Sequence, residues 1–188
     1  MKKARMDSLL SQESIMNATI QLFSGEQFQD ITVTDICKRA GVARVTFYKY
    51  YHSIDDVLTT IFKENFIARY KKLPNPKSLE NATVLLTFLL ESIYFAPKFV
   101  NHLVDCNMSH ILLVVFDSIA EILISYQNHN PQILKLQRQF IAGGLHHVFI
   151  EWIRNHNEPP IETLSNNLVD MLDSLESTLS QAMHNACW

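Results

Sequence analysis

Residues 32–57 read TVTDICKRAGVARVTFYKYYHSIDDV, and the punctuation of this stretch decides the fold. Val33, Ile36, Cys37 and Ala40 recur at i, i+3, i+4 and i+7, one apolar stripe on a helix of about two turns. Thr32 stands at the N-cap, and Asp35 three residues on returns a bond to its backbone N–H, the two halves of a capping box. Gly41 closes this helix, because glycine enters the left-handed conformation at no steric cost. A second helix then runs from Ala43 or Arg44 to about Tyr51, with Phe47 and Tyr51 facing inward. Its other face carries Arg44, Thr46, Lys49 and Tyr50, which is polar, cationic and aromatic. Ser53 with Asp56 forms a second capping box that opens a long helix. Two short helices joined through a glycine turn, the second with a cationic outer face, describe a helix-turn-helix.

The longer stretch ITVTDICKRAGVARVTFYKYYHSIDDVL resembles the N-terminal DNA-binding motif of the TetR family of bacterial transcriptional regulators. The matching features are the Thr-capped helix with Ile36, the Ala40-Gly41-Val42 turn, Thr46-Phe47-Tyr48, aromatic Tyr51, and Ser53 before an acidic pair. Two positions depart from the family pattern. Val45 stands where glycine is frequent, and Ile54 where the family usually has a lysine that touches a DNA phosphate. The resemblance puts Arg44, Val45, Thr46, Tyr48, Lys49 and Tyr50 at the major groove. The chemistry suits that role: arginine bridges guanine O6 and N7, threonine meets a thymine methyl, and tyrosine and lysine hold phosphates. Thr32 and Thr34 offer hydroxyls and helix N-terminal N–H groups to a phosphate. The alternative is an ordinary solvated helix face.

Composition agrees with a globular helical protein. Among 188 residues 47% are hydrophobic and only four are glycine, and no stretch alternates apolar and polar residues for long. The net charge of −3 is unevenly spread. Residues 1–54 carry seven Lys/Arg against five Asp/Glu, the remainder nine against fourteen. A mildly basic head on an acidic body suits a protein that touches DNA with one end. MKKARMDSLLSQ has no apolar segment behind its basic residues, so it is not a signal peptide. The apolar runs Val84–Leu90 and Ile111–Phe116 are too short to span a bilayer. Cys37, Cys106 and Cys187 are an odd, scattered set, which points to a reducing compartment. The sequence predicts a cytoplasmic protein that does not enter a membrane.

Along the chain, Lys2, Lys3 and Arg5 form a basic arm ahead of a first helix at 7–24, either a solvated tail or a further DNA contact. Gly25 ends that helix, and the following loop carries Phe28 to the small core. The fourth helix, 53–72, is too long to serve the head alone and is expected to link it mechanically to the body. Helices at 78–94, 97–103, 107–126, 131–155 and 162–184 follow, about nine in all. The expectation is an all-α protein: a three-helix head at 1–54 and a helical body for ligand sensing and dimerisation at 55–188.

Candidate sites in the body rest on spacing. His102, Cys106 and His110 lie at i, i+4 and i+8, but three ligands on one straight helix span about 12 Å, too far to share a metal. They are read instead as a polar pocket lining, with Phe62, Phe66, Phe88 and Ser92 from neighbouring helices. Gly143 and Gly144 interrupt an apolar helix at a cost of about 1 kcal/mol each, for which close helix approach compensates. With Phe140 and His147, and with Leu168, Leu172, Leu175 and Leu179 at heptad-like spacing on the last helix, they form a candidate dimer interface. The resemblance implies a four-helix arrangement there; intrachain core is the alternative for the leucines. No nucleophile elbow, phosphate loop, HExxH or paired-carboxylate motif occurs, so no catalytic residue, metal or cofactor is assigned. The resemblance implies a homodimeric repressor released from a palindromic double-stranded operator by a small-molecule inducer. An activator with the same head, whose body binds a protein partner, is the alternative within the class. A helical enzyme with a vestigial head is the alternative outside it.

Overall fold

The computed structural model describes residues 2–25, 31–73, 82–124 and 131–185, with side chains described except at 2–8, 82, 133, 173 and 175–185. Among the described residues it is all-helical: α1 (Lys2–Phe23), α2 (Val33–Ala40), α3 (Arg44–Tyr50), α4 (Ile54–Tyr70), α5 (Ala82–Ile93), α6 (Pro97–Asp105), α7 (Leu113–Ile124), α8 (Pro131–Arg154) and α9 (Ile161–Asn185), with a 3-10 turn at Ser109–Leu112.

Local chemistry sets the head. The Asp35 N–H donates to the Thr32 hydroxyl, and the Thr32 N–H donates to Asp35 Oδ2 at 3.0 Å, completing the capping box of α2. Gly41 takes φ 68°, while Val42 N–H reaches the Cys37 carbonyl and Gly41 N–H that of Lys38, a Schellman closure. The seven residues of α3 are too few to hold a helix by propensity. Burial holds them: Phe47 is wholly inside, in ring contact with Tyr51 at 5.9 Å. At the start of α4 the Asp56 N–H donates to the Ser53 hydroxyl. The returning carboxylate, however, accepts from the His52 N–H at 2.9 Å rather than from Ser53, so the expected box is shifted by one residue.

Tyr51 is buried in this core, and its hydroxyl has no hydrogen-bond partner among the described residues. Burial foremost, with Glu64 and Asp56 adding repulsion, pushes its pKa up to about 12. An unpaired buried polar group costs about 1–3 kcal/mol. Tyr51→Phe should therefore leave stability unchanged or raise it by up to about 1 kcal/mol. A urea midpoint that instead falls clearly would show that the hydroxyl is satisfied.

The long α4 joins head and body, burying Val57, Leu58, Ile61, Phe62 and Phe66. It packs on α1, α5, α7 and the 3-10 turn. Phe62 stacks on Phe99 of α6 at 5.4 Å, and Phe23 at the end of α1 meets the same Phe99 edge-on at 6.1 Å. One continuous cluster of buried apolar residues runs from Ile15 to Leu168, so packing shows no break at residue 54.

Three sequence expectations change. Lys2, Lys3 and Arg5 belong to α1 rather than to an arm before it, since the helix starts at Lys2. The expected helix at 107–126 is a 3-10 turn followed by α7, because Asn107 adopts φ 58° and its N–H closes α6 on the Val104 carbonyl. His102, Cys106 and His110 consequently do not share a helix. The expected placement of Phe28 falls outside the described residues, as does Cys187.

Candidate functional site

The inward anchoring of Phe47 fixes what α3 shows to solvent. Arg44, Val45, Tyr48 and Lys49 are exposed, while Thr46 and Tyr50 are half-buried. The Arg44 guanidinium lies 6.0 Å from the Tyr48 ring centroid, and the Lys49 ammonium 5.2 Å from that of Tyr50. Each cation rests near an aromatic face, which restrains a long side chain without neutralising it. Lys38 and Arg39 are exposed at the end of α2, extending the positive surface. Thr32 is exposed, but its hydroxyl donates to Asp35 Oδ2 at 2.6 Å, so the helix cap already engages it. The Thr32 hydroxyl and N–H together hold the Asp35 carboxyl below its ordinary pKa. Thr34 is half-buried in the first turn of α2. Ile54 packs against the core at the first position of α4, which gives a physical reason for an apolar side chain where the resemblance leads one to expect lysine.

The seven body residues expected to line a pocket do not converge. Phe62 is enclosed by Phe95 and Phe99, and Phe66 stacks on Tyr70 at 6.1 Å. Ser92 is buried and donates to the Leu89 carbonyl of its own helix, and Phe88 packs against the core. His102 Nδ1 lies 3.1 Å from the Phe23 carbonyl, and His110 Nε2 lies 3.4 Å from Asp55 Oδ2. Cys106 is exposed at the cap of α6. Aromatics at helical spacing served the core, as such residues usually do. Among the described residues no group of three or more His, Cys, Asp or Glu is placed to hold a metal, and no single helix is long and apolar enough to cross a membrane.

An open cleft of about 550 Å³ lies elsewhere, where the end of α4 and the corner between α5 and α6 meet the turn between α8 and α9. Arg69, Glu91, Tyr94, Phe95, Trp152 and Asn157 line it. Arg69 Nη1 donates to the Glu91 carbonyl at 2.8 Å, which fixes the guanidinium in the wall. The Tyr94 hydroxyl sits 2.9 Å from both Asn101 Oδ1 and Asn157 Oδ1. One O–H cannot donate to two oxygens, and Asn157 Nδ2 is buried without a partner among the described residues. Reversing the Asn157 amide satisfies both, with Nδ2 donating to the hydroxyl and the hydroxyl to Asn101. Sequence periodicity does not find this cleft, because it is made where helix ends far apart in the chain meet.

On α8, Phe140 is 74% exposed. Gly143, Gly144 and His147 lie exposed beside it, and a Cβ at either glycine would meet nothing within 4 Å. On α9 the outward apolar residue is Met171, whereas Leu168 is only 4% exposed. Leu168 is therefore intrachain core, a correction of its expected role, and Leu172 is half-buried. The side chains of Leu175 and Leu179 are outside those described.

His146 faces inward, edge-on to Phe116 at 5.6 Å, and its Nε2 donates to the Ser109 carbonyl at 2.9 Å. Burial lowers its pKa, aided by His147 and His110 and opposed by the Ser109 bond. The folded state thus binds this proton less readily than the unfolded chain, whose histidine titrates near 6.5. Stability should be fully present above that pH and decline as pH falls below it. His146→Gln should make the melting temperature less steep between pH 6.5 and 5, and an unchanged slope would assign the acid sensitivity to another group.

Residues 15–61 match the family model of the bacterial regulatory proteins, tetR family. The chain is 26% identical over 116 residues to the HTH-type dhaKLM operon transcriptional activator DhaS of Lactococcus lactis subsp. lactis (strain IL1403), covering 61% of this chain and 60% of that protein, less than two thirds of its length. It is 25% identical over 182 residues to the fatty acid metabolism regulator protein of Bacillus subtilis (strain 168), covering 85% and 92%. The same fold occurs in the dihydroxyacetone kinase operon activator DhaS (TM-score 0.59, 20% identity, 89% of this chain and 96% of that one). It also occurs in the regulator FadR from Bacillus subtilis in complex with stearoyl-CoA (TM-score 0.53, 22% identity, 85% and 96%). These relatives are transcriptional regulators, not enzymes. Residues 15–61 thus match the DNA-binding head of the tetR family of bacterial regulatory proteins, and the helical chain is similar over its length to transcriptional regulators.

Proposed function

We propose that a homodimer of this chain acts as a cytoplasmic repressor, holding a palindromic operator and releasing it when a small molecule occupies the body. The observation that carries the reading is the outer face of α3, cationic and aromatic around Arg44, Tyr48 and Lys49, while Phe47 fastens the opposite face to the core. A helix so mounted offers its first turns to base edges and its flanks to phosphates. Thr34 and the N-terminal N–H groups of α2 add a phosphate contact. Residues 1–54 serve as the reader and 55–188 as the sensor, although the two share a core. The exposed face of α8 around Phe140, Gly143, Gly144 and His147 meets its own copy across a two-fold axis.

The ligand class we infer is a long-chain acyl thioester. The support is the stearoyl-CoA held by the similar Bacillus subtilis regulator, and a cleft whose volume of about 550 Å³ and mix of Arg69 with aromatic walls suit an anionic amphiphile. Release follows as a shift of populations: the ligand favours a body in which α4 sets the two heads at the wrong separation. Two contacts lie on that route. His146 of α8 holds the Ser109 carbonyl, and the adjacent His110 pairs with Asp55 in the first turn of α4. An activator is the second reading, favoured by the relative of that description. Fluorescence anisotropy on a duplex selected from a random library tests the proposal. Selective binding that stearoyl-CoA weakens, and coenzyme A alone does not, is the expected result. Selective binding indifferent to both would contradict the ligand class, and transcription in vitro that rises on binding would favour the activator.

A further inference from the structure

Val45 is 77% exposed, more than any other large apolar side chain described. It is the second residue of α3. A β-branched side chain there lowers helix propensity, and so little contact with the protein gives no packing in return. Tyr48, one turn on, is also largely exposed, so the two make a small apolar strip. Exposed Arg44 and Lys49 flank it on α3, with Lys38 and Arg39 on α2. An apolar strip inside a ring of cations matches a polyanion that carries apolar points of its own.

In the major groove those points are the C5-methyl groups of thymine, which the other base edges lack. We propose that Val45 reads a thymine in each operator half-site through its methyl group. This rests on the reading of α3 as the groove helix and adds the base type recognised at one position. Valine has neither donor nor acceptor, so it selects in two ways. It covers a methyl, and it leaves the amino group of a cytosine without a partner. Its short side chain reaches a base edge only when the first turn of α3 lies deep in the groove, as recognition helices do.

The test uses the full chain and its selected duplex, with each thymine replaced in turn by deoxyuridine, which removes only the methyl. One position per half-site should lose about three- to fivefold in affinity, the equivalent of one buried methyl. Val45→Ala should bind both duplexes alike, because the partner of the methyl is gone, while circular dichroism stays unchanged. Val45→Thr, which keeps one methyl, should retain part of the discrimination. The proposal is overturned if no thymine is sensitive, or if Val45→Ala remains as sensitive as the native protein. A protein that selects no duplex overturns the reading of α3 first and this proposal with it.

Discussion

Phe140→Glu should yield a folded monomer that binds a two-half-site duplex at least about a hundredfold more weakly than the native protein. The ring of Phe140 is 74% exposed, and the neighbouring glycines have open space before them. Within one chain a carboxylate there meets water, so the fold should tolerate it. Across a two-fold axis the same patch meets itself, and two carboxylates would be forced together in a desolvated contact. Each head alone then keeps half the contacts and loses the effective concentration that its twin provides. Sedimentation equilibrium, circular dichroism and anisotropy on the same samples check all three statements. Gly144→Leu tests the face by bulk rather than charge and should act in the same direction. A variant that remains dimeric would move the interface elsewhere.

Arg44→Ala should cost about 1–3 kcal/mol of binding per half-site and relax selectivity at one position in each. The guanidinium is exposed and lies near the Tyr48 ring rather than in the core, so loss of affinity would not reflect loss of fold. Lys49→Ala should behave differently. A phosphate contact carries no sequence information, so all duplexes should weaken together, and the slope of log K against log salt should flatten by about 1.8, or about 0.9 for each of the two heads. Titrations at several salt concentrations, on the selected duplex and on a scrambled one, separate the two outcomes. Equal behaviour of both variants would contradict the division of roles along α3.

What the sequence disclosed follows the range of the forces involved. α2 and α3 were legible because their ends are written in neighbouring residues: Thr32 with Asp35, and Gly41 in the left-handed conformation. The phase of α3 was legible because Phe47 and Tyr51 are apolar four residues apart and both are buried. The break after α6 was not. Its signal is a single asparagine at φ 58°, and the apolar pattern continues through the 3-10 turn as though the helix did. That one residue separates His102 and Cys106 from His110. The body cavity was illegible for another reason. Phe62 and Phe66 satisfy a core and a pocket wall equally well by spacing, whereas the cleft is made by Arg69, Tyr94, Trp152 and Asn157, which meet only through tertiary packing. On α8 the residues singled out, Phe140, Gly143, Gly144 and His147, are all exposed. On α9, Leu168 is inside and Met171 outside, so at Leu168 the intrachain-core alternative holds.

The central claim is that α3 selects a two-fold symmetric DNA sequence. Selection from a random duplex library with the native protein, repeated with the Arg44→Ala/Lys49→Ala double variant, tests it most directly. The native protein should enrich a palindrome whose half-sites lie about 10 base pairs apart, centre to centre, or a multiple of that, and the double variant should enrich nothing. A native protein that enriches no sequence, or a double variant that enriches the same palindrome, would contradict the account.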